Sequence, residues 1–353
     1  MSEESRGFDP DAAAQHDGVY GLPHTETEAG VVLVPVPWEA TVSYRAGTAN
    51  GPAAILEASR QVDLTDRETG RPYEAGIAML PISSEGRAWS DEARTAAEAV
   101  IAAGGLDAVP MTELARLDLE TRVRKVDELG ERMNAWVEAE VDARLAAGKL
   151  VGVIGGDHAS PFGAIRATAR RFPGLGILHL DAHCDLRVAY EGFRWSHASI
   201  FDNVLREIPE VTKLVQIGVR DFGQRELDAI EAARGRIHCF FDSDLRRRLH
   251  DGEAWSAVLQ PVIGHLPRLV YLSFDIDGLD PVLCPHTGTP VPGGLSFAEV
   301  STLLRLLVES GRRIVGFDLC EVAPDPSGAS EWDGNVAARL LYKMIGYALR
   351  SRG

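Results

Sequence analysis

From residue 150 onward the chain repeats one pattern: a short apolar run, then an amphipathic stretch. The runs LVGVIG (150–155), GILHLD (176–181), LVQIGV (214–219), IHCFF (237–241), LVYLSFD (269–275) and RIVGFDL (313–319) are each followed by a helical pattern. Those patterns fall at 160–171, 200–205, 224–233, 254–264, 297–309 and 335–350. Runs that are apolar throughout, rather than alternating with polar residues, mark strands buried on both faces. Strands that alternate with helices are joined by crossovers and lie parallel, so the pattern predicts an α/β fold with a parallel sheet covered on both sides. GVVLVPVP (30–37) adds an earlier strand, followed by a loop and a short helix at 53–60.

No linker interrupts the chain after residue 30, which predicts a single domain over 30–353. Residues 1–29 are polar and acidic and read as a mobile N-terminal tail. The segment 83–118 is the least patterned, with a helix expected at 88–102 and irregular chain at 104–111. A long helix is expected at 119–147, where Leu129, Met133, Trp136, Val137 and Val141 recur at helical spacing.

The formal net charge is −16. With no basic stripe to neutralise phosphates, a nucleic-acid partner is not expected. No apolar run reaches membrane-spanning length, so no membrane partner is expected either. The first residues, MSEESRGFDPDAAAQHDG, lack the basic and apolar regions of a signal peptide, which points to the cytoplasm. Cys184, Cys239, Cys284 and Cys320 form no CxxC pair and read as free thiols.

In a parallel α/β sheet, function gathers beyond the carboxyl ends of the strands. Those ends read GGDHAS (155–160), DAHCD (181–185), DIDGLDP (275–281) and CEVAP (320–324). Side chains two apart point the same way along an extended chain. Asp181, His183 and Asp185 can therefore converge, as can Asp275 and Asp277, with His158 joining from the first motif. Four carboxylates packed together cannot all stay ionised without compensation. Two divalent cations would balance them, and oxygen and nitrogen ligands without thiolate favour Mn(II), with Ni(II) as the alternative. Taken singly, each motif has an ordinary reading: a DxD is commonly a turn, and GGDH a tight turn with a helix cap. Together, at strand ends of one sheet, structural needs do not account for them.

GGDHAS, DAHCD and SFDIDGLDP resemble the signatures of the ureohydrolases, the arginase and agmatinase family, and the resemblance runs from about residue 31 to 347. It implies a three-layer α/β/α fold with a mainly parallel eight-stranded sheet. It also implies two Mn2+ per chain held by His158, Asp181, His183, Asp185, Asp275 and Asp277, hydrolysis of a guanidino group to urea and an amine, and a homotrimer or homohexamer. Glu321, in DLCEVAP, resembles the family carboxylate that pairs with the substrate guanidinium. His197, in RWSHASIF, falls where the family carries its proton-shuttle histidine. Asp157 and Asp318 are candidates for orienting the ligands.

The loops that would select the substrate are less telling. Arg187, Tyr44, Trp195, His286 and Trp332 are the candidate substrate-binding residues. Arginines could meet a carboxylate, and aromatics could hold a small cation by cation–π contact. The asparagine- and serine-bearing loop of arginases is replaced by RVAYEGFRW, and the His-Gly-Thr of agmatinases by His197, Ala198 and Ser199. The leading expectation is an agmatinase-like hydrolase of a small cationic guanidino substrate. Hydrolysis of free guanidine is the alternative, followed by arginase or formimidoylglutamase chemistry. A single-metal deacetylase-like amide hydrolase and a non-catalytic binding protein fit the full ligand set less well.

Overall fold

The computed structural model describes residues 8–14, 16–106 and 111–353. Its centre is one eight-stranded sheet, in which β1 (Val31–Val36), β2 (Ile77–Met79), β3 (Leu150–Gly155), β4 (Leu175–Leu180), β5 (Val211–Val219), β6 (Ile237–Phe241), β7 (Leu269–Asp275) and β8 (Arg313–Cys320) take the order β2-β1-β3-β8-β7-β4-β5-β6. Every pairing is parallel, stricter than the mainly parallel sheet expected. The order sets β3, β8, β7 and β4 side by side, and these four strands carry the four charged motifs at their carboxyl ends. The motifs therefore meet at the middle of one sheet edge although they span residues 155 to 324.

Helices cover both faces. On one lie α1 (Gly51–Ser59), α7 (Asp242–His250), α8 (Trp255–Gly264), α9 (Phe297–Glu309) and α10 (Trp332–Arg350), whose Ile55, Leu245, Val258, Leu303 and Leu341 share one buried cluster with the strands. On the other lie α2 (Ser84–Ala102), α3 (Glu113–Ala146), α4 (Phe162–Arg171) and α5 (Ile200–Glu207), with Ala93, Val126, Ala164 and Phe201 buried against them. A further helix, α6 (Gln224–Ala232), follows β5.

Three expectations change. The strand β2 was not foreseen; three residues are too few to show a period, and Val31, Val32 and Leu33 hold it in register. Pro35 of β1 lies past the reach of this short neighbour, so its missing N–H breaks no ladder bond on that side. The chain near residue 20 is not an unpacked tail: Val19, Tyr20 and Leu22 are buried, the Tyr20 hydroxyl donates to the Ala338 carbonyl at 3.0 Å, and Ser59 Oγ accepts from the Tyr20 N–H at 2.8 Å. Residues 1–7 of that tail lie outside the described residues. Finally, α3 begins at Glu113, capped by Thr112 Oγ1, which accepts from the Ala115 N–H at 3.3 Å; of the irregular stretch before it, 107–110 lie outside the described residues.

No helix among the described residues is long and apolar enough to cross a membrane.

Candidate metal centre

Parallel pairing puts polar residues of neighbouring strands in rows. Gln216 of β5 stands opposite His179 of β4, His179 opposite Ser273 of β7, and Ser273 opposite Asp318 of β8. All four are fully buried. They form a hydrogen-bonded floor beneath the strand ends. Ser273 Oγ donates to Asp318 Oδ1 at 3.0 Å and lies 3.0 Å from His158 Nε2. A hydroxyl that spends its proton on Asp318 can only accept from His158, so Nε2 carries the hydrogen and Nδ1 presents its other edge to the carboxylates. Likewise Gln216 Nε2 donates to His179 Nδ1 at 2.9 Å, which leaves His179 Nε2–H to donate to Asp181 Oδ2 at 2.8 Å.

Above this floor the six expected ligands come together. His158 Nδ1 lies 3.2 Å from Asp181 Oδ2, 3.1 Å from Asp185 Oδ2 and 3.5 Å from Asp275 Oδ2. His183 Nδ1 lies 3.3 Å from Asp181 Oδ1 and 3.1 Å from Asp277 Oδ2. Asp181 thus sends one oxygen into each of two nests. Two clusters of potential ligand atoms, His158–His179–Asp181–Asp185 and Asp181–His183–Asp277, share that residue.

The electrostatics match a site built for cations. Burial and the charges of Asp277 and Asp181 hold Asp275 well above the carboxylate range, and burial with Asp181 pushes Asp185 to about 7. Burial pulls His158 down, but its hydrogen bonds to Asp181, Asp185 and Asp318 win and hold it well above its ordinary value. Burial likewise opposes His183, which Asp277 and Asp181 raise. Burial would raise Asp181, yet His179, His158 and His183 hold it well below the usual range. Protons sit where divalent cations would sit, so this ligand set fits such a group.

Glu321 and His197 border the same cavity of about 170 Å3, which is also lined by Ser43, Arg187, Tyr190, Asp221, Phe222, Glu226 and Thr289. Glu321 Oε1 accepts the His158 N–H at 2.9 Å, whereas Oε2 accepts no hydrogen bond from the described residues. Burial and the nearby Asp157 carboxylate raise Glu321 well above its ordinary value. His197 Nδ1 lies 3.1 Å from Thr41 Oγ1. Burial, with His183 and His158 beyond it, lowers His197 to about 3. Asp157 acts on the backbone: Oδ2 accepts from the Ala40 N–H at 3.2 Å and Oδ1 from the Ala159 N–H at 3.0 Å, which ties the loop after β1 to the His158 turn.

The expected substrate-binding residues divide. Arg187 lines the cavity, its guanidinium 4.8 Å from the Tyr190 ring centre and 3.8 Å from Glu226 Oε2. Trp195 is placed elsewhere: it is buried in the core, 4.8 Å from the Phe162 ring, with its Cβ against Gly130. Tyr44 points to solvent, 72 % exposed, and Ser43 takes its place in the wall. His286 is clamped to the start of α10, its Nδ1 2.7 Å from Asp333 Oδ2. Trp332 donates from its indole N–H to the Val282 carbonyl at 3.0 Å, outside the cavity. Aromatic and histidine content in a loop does not say which way the loop turns.

His179, Gln216, Ser273, Thr41, Ser196, Glu39 and Glu226 are the functional neighbours that the strand-end reading passes over. Only His179 left a signal, standing two residues before Asp181 on the same strand. Glu39 organises the loop after β1, its carboxylate accepting N–H bonds from Gly47 at 2.9 Å and Ala49 at 2.9 Å.

Comparison with known proteins places nearly the whole chain among relatives of one family. Residues 29–346 match the Arginase family. N(1)-aminopropylagmatine ureohydrolase of Thermus thermophilus is 32% identical over 320 residues, covering 90% of this chain and 90% of that protein. Proclavaminate amidinohydrolase of Streptomyces clavuligerus is 30% identical over 328 residues, covering 91% of each. Among solved structures, the agmatine ureohydrolase of Thermoplasma volcanium aligns with a TM-score of 0.69 at 24% identity over 99% of this chain and 98% of that one, a likeness of fold. The all-parallel sheet, the convergent strand ends and a match over nearly the whole length lead to one conclusion: the chain belongs to the arginase family.

Proposed function

We propose that this protein is an agmatinase-like hydrolase of a small guanidino compound, releasing urea and an amine, with two divalent cations, Mn2+ by ligand chemistry, per chain. The observation that carries the reading is Asp181, which offers one oxygen to a nest with His158 and Asp185 and the other to a nest with His183 and Asp277. In this reading His158, Asp181, His183, Asp185, Asp275 and Asp277 hold the cations. When bound, such a pair acidifies water toward neutrality and so supplies a nucleophile strong enough for a delocalised guanidinium carbon.

The chain's own residues do the rest. Glu321 lines the cavity, its Oε2 has no hydrogen-bond partner among the described residues, and in this reading it takes the substrate guanidinium through charge-assisted N–H bonds. The carbon–nitrogen bond to the departing amine breaks as that nitrogen gains a proton, and His197 is the imidazole placed in the wall to relay it: neutral at rest, its Nε2 takes up a proton that the attacking water gives up and passes it to that nitrogen. Buried surroundings strengthen each of these interactions. Arg187 and Tyr190 border the entrance and meet whatever extends from the guanidino group.

The relatives' names span amine-bearing and carboxylate-bearing compounds, and agmatine itself is the leading substrate of this reading. The modest cavity favours free guanidine as a second one. A urea-release screen of agmatine, aminopropylagmatine, guanidinobutyrate, arginine and guanidine, with Mn2+ or Ni2+ supplied, tests both. Urea from none of them, in protein loaded with two metals per chain, would sink the hydrolase reading. A homotrimer or homohexamer in the cytoplasm belongs to the same proposal, and light scattering tests the assembly.

A further inference from the structure

Among the described residues no carboxylate hydrogen-bonds to the imidazole of His197. Its Nδ1 lies 3.1 Å from Thr41 Oγ1, Thr41 Oγ1 donates to Ser196 Oγ at 3.2 Å, and Ser196 Oγ also accepts from the Ala198 N–H at 3.3 Å. Both hydroxyl-bearing residues are fully buried, so bulk water does not compete for these bonds. The Tyr190 ring stands edge-on to the imidazole at 5.8 Å. Among the described residues Nε2 has no hydrogen-bond partner, and the ring borders the cavity.

The direction of the chain of bonds decides the tautomer. Thr41 has one hydroxyl proton. Spending it on Ser196 leaves Thr41 Oγ1 only as an acceptor toward the ring; Ser196 Oγ also faces Nδ1 but at 3.5 Å, at the outer limit of a hydrogen bond, so the closer 3.1 Å contact with Thr41 assigns the hydrogen to Nδ1. The array Nδ1–H to Thr41 to Ser196 is then complete whether Nε2 is protonated or bare. A proton can leave Nε2 and another can arrive without any hydroxyl turning or any bond breaking behind the ring. An ionised carboxylate at the same place would favour the imidazolium and hold back the proton the leaving amine needs. A neutral hydroxyl fixes orientation and tautomer without that cost.

Resting on the hydrolase reading above, we propose that Thr41 is a positioning residue: its hydroxyl, backed by Ser196, holds His197 as the Nδ1–H tautomer, so that only the Nε2 proton moves during turnover. The surrounding loop is built to keep it there. The preceding N–H, of Ala40, is tied to Asp157, and Glu39 gathers the N–H groups of Gly47 and Ala49.

The test uses full-length, metal-loaded protein and the variants Thr41→Val, Thr41→Ser and Ser196→Ala. Thr41→Val keeps the shape and removes the hydroxyl. It should lower kcat about tenfold, a fraction of the full worth of a general acid. KM should stay within about twofold and the metal content should not change. Thr41→Ser should restore most of kcat, and Ser196→Ala should show a smaller loss of the same kind. In a His197→Ala background, Thr41→Val should change kcat by less than about twofold, because the group it positions is gone. Wild-type kcat in Thr41→Val, an equal loss in the His197→Ala background, or no rescue by serine would overturn the proposal. Nitrogen-15 spectra of histidine-labelled protein decide independently of activity: Nδ1 of His197 should be protonated in the wild type, and a bare Nδ1 would refute the assignment. Failure of the hydrolase reading is separately visible, as a wild type that releases no urea from any guanidino compound, and the spectrum still decides the tautomer.

Discussion

Binding of divalent cations at the strand ends should release protons, and its affinity should fall steeply in acid. Without cations, the site balances its carboxylates by holding protons on His158 and His183 and by raising Asp185 from 3.8 to about 7. A cation must displace those protons. At pH 5.5 the Asp185 proton alone stands about 1.5 pKa units above the solution, so displacing it costs ~2 kcal/mol, or a factor of about 30 in affinity, relative to pH 8. The two raised histidines add to this in the same direction. Isothermal titration of the stripped protein with Mn2+ in buffers of different ionisation enthalpy counts the protons: at pH 6 we expect at least about two released per chain. Stability follows the same linkage. The metal-free fold binds more protons than the unfolded chain, so the histidine contribution is fully present below pH 6.5 and is lost as pH rises past it. The loaded fold has already given those protons up. The gap in Tm between loaded and stripped protein should therefore widen with pH. At about 2.1 cal/mol/K per residue over 353 residues, ~2 kcal/mol corresponds to ~3 °C. His197, lowered to about 3, acts the opposite way below pH 6.5, but it belongs to both forms and largely cancels in the gap. Metal uptake with no proton release, or a Tm gap that narrows between pH 5.5 and 8, would refute the reasoning.

Three further outcomes follow from the placement of single residues. Asp277→Ala should abolish urea release and leave less than two metals per chain on elemental analysis, whereas normal turnover in this variant would remove Asp277 from the site. Arg187→Ala should change KM more than kcat, raising KM for carboxylate-ended guanidino compounds and lowering it for amine-ended ones; identical KM values for both classes before and after would mean that Arg187 meets solvent only. Trp195→Ala should leave KM within about twofold and cost ~3–5 kcal/mol of stability in denaturant titration, because the ring fills core space beside Phe162; a large KM change with unaltered stability would return Trp195 to the substrate.

Much of this architecture was legible because it rests on local pattern. Uninterrupted apolar runs marked seven of the eight strands, and ionisable residues at their ends marked the four motifs that β3, β8, β7 and β4 bring together. What stayed hidden depends on pairing between distant segments. Gln216, His179, Ser273 and Asp318 form one row only because four strands align in a particular register. In the sequence Gln216 and Ser273 look like isolated polar residues in strands, and nothing in the spacing joins them to His179 or Asp318. Thr41 meets Ser196 across 155 positions of chain, and no spacing rule reaches that far. The aromatic candidates failed for a related reason: Asp127 of α3 accepts the N–H groups of Arg194 and Trp195, at 3.0 and 3.4 Å, which turns Trp195 into the core while the Arg194 side chain stays at the surface.

The six candidate ligands converge, but not by the route their spacing suggests. Strand β4 ends at Leu180, so Asp181, His183 and Asp185 do not share one face of an extended chain. Asp185 takes left-handed backbone, φ 54°, and Glu321 does the same after β8, φ 63°. For residues other than glycine this conformation costs about 1–2 kcal/mol each. It persists because the turns are tied down: the Phe201 N–H donates to the Asp185 carbonyl at 3.0 Å, the Glu321 N–H to the Gly156 carbonyl at 2.7 Å, and Thr287 Oγ1 to the Glu321 carbonyl at 2.8 Å. Asp277 enters from a short 3-10 turn, its N–H donating to Asp275 Oδ1 at 2.8 Å. The Asp185 and Glu321 carboxylates are thus aimed by turns that a glycine would adopt more cheaply and that only an acid can use. A chain selected for stability alone would relax these positions. That it stores strain at both, in the lining of one cavity and after two strands that flank β7, is what a site built to hold charge would require.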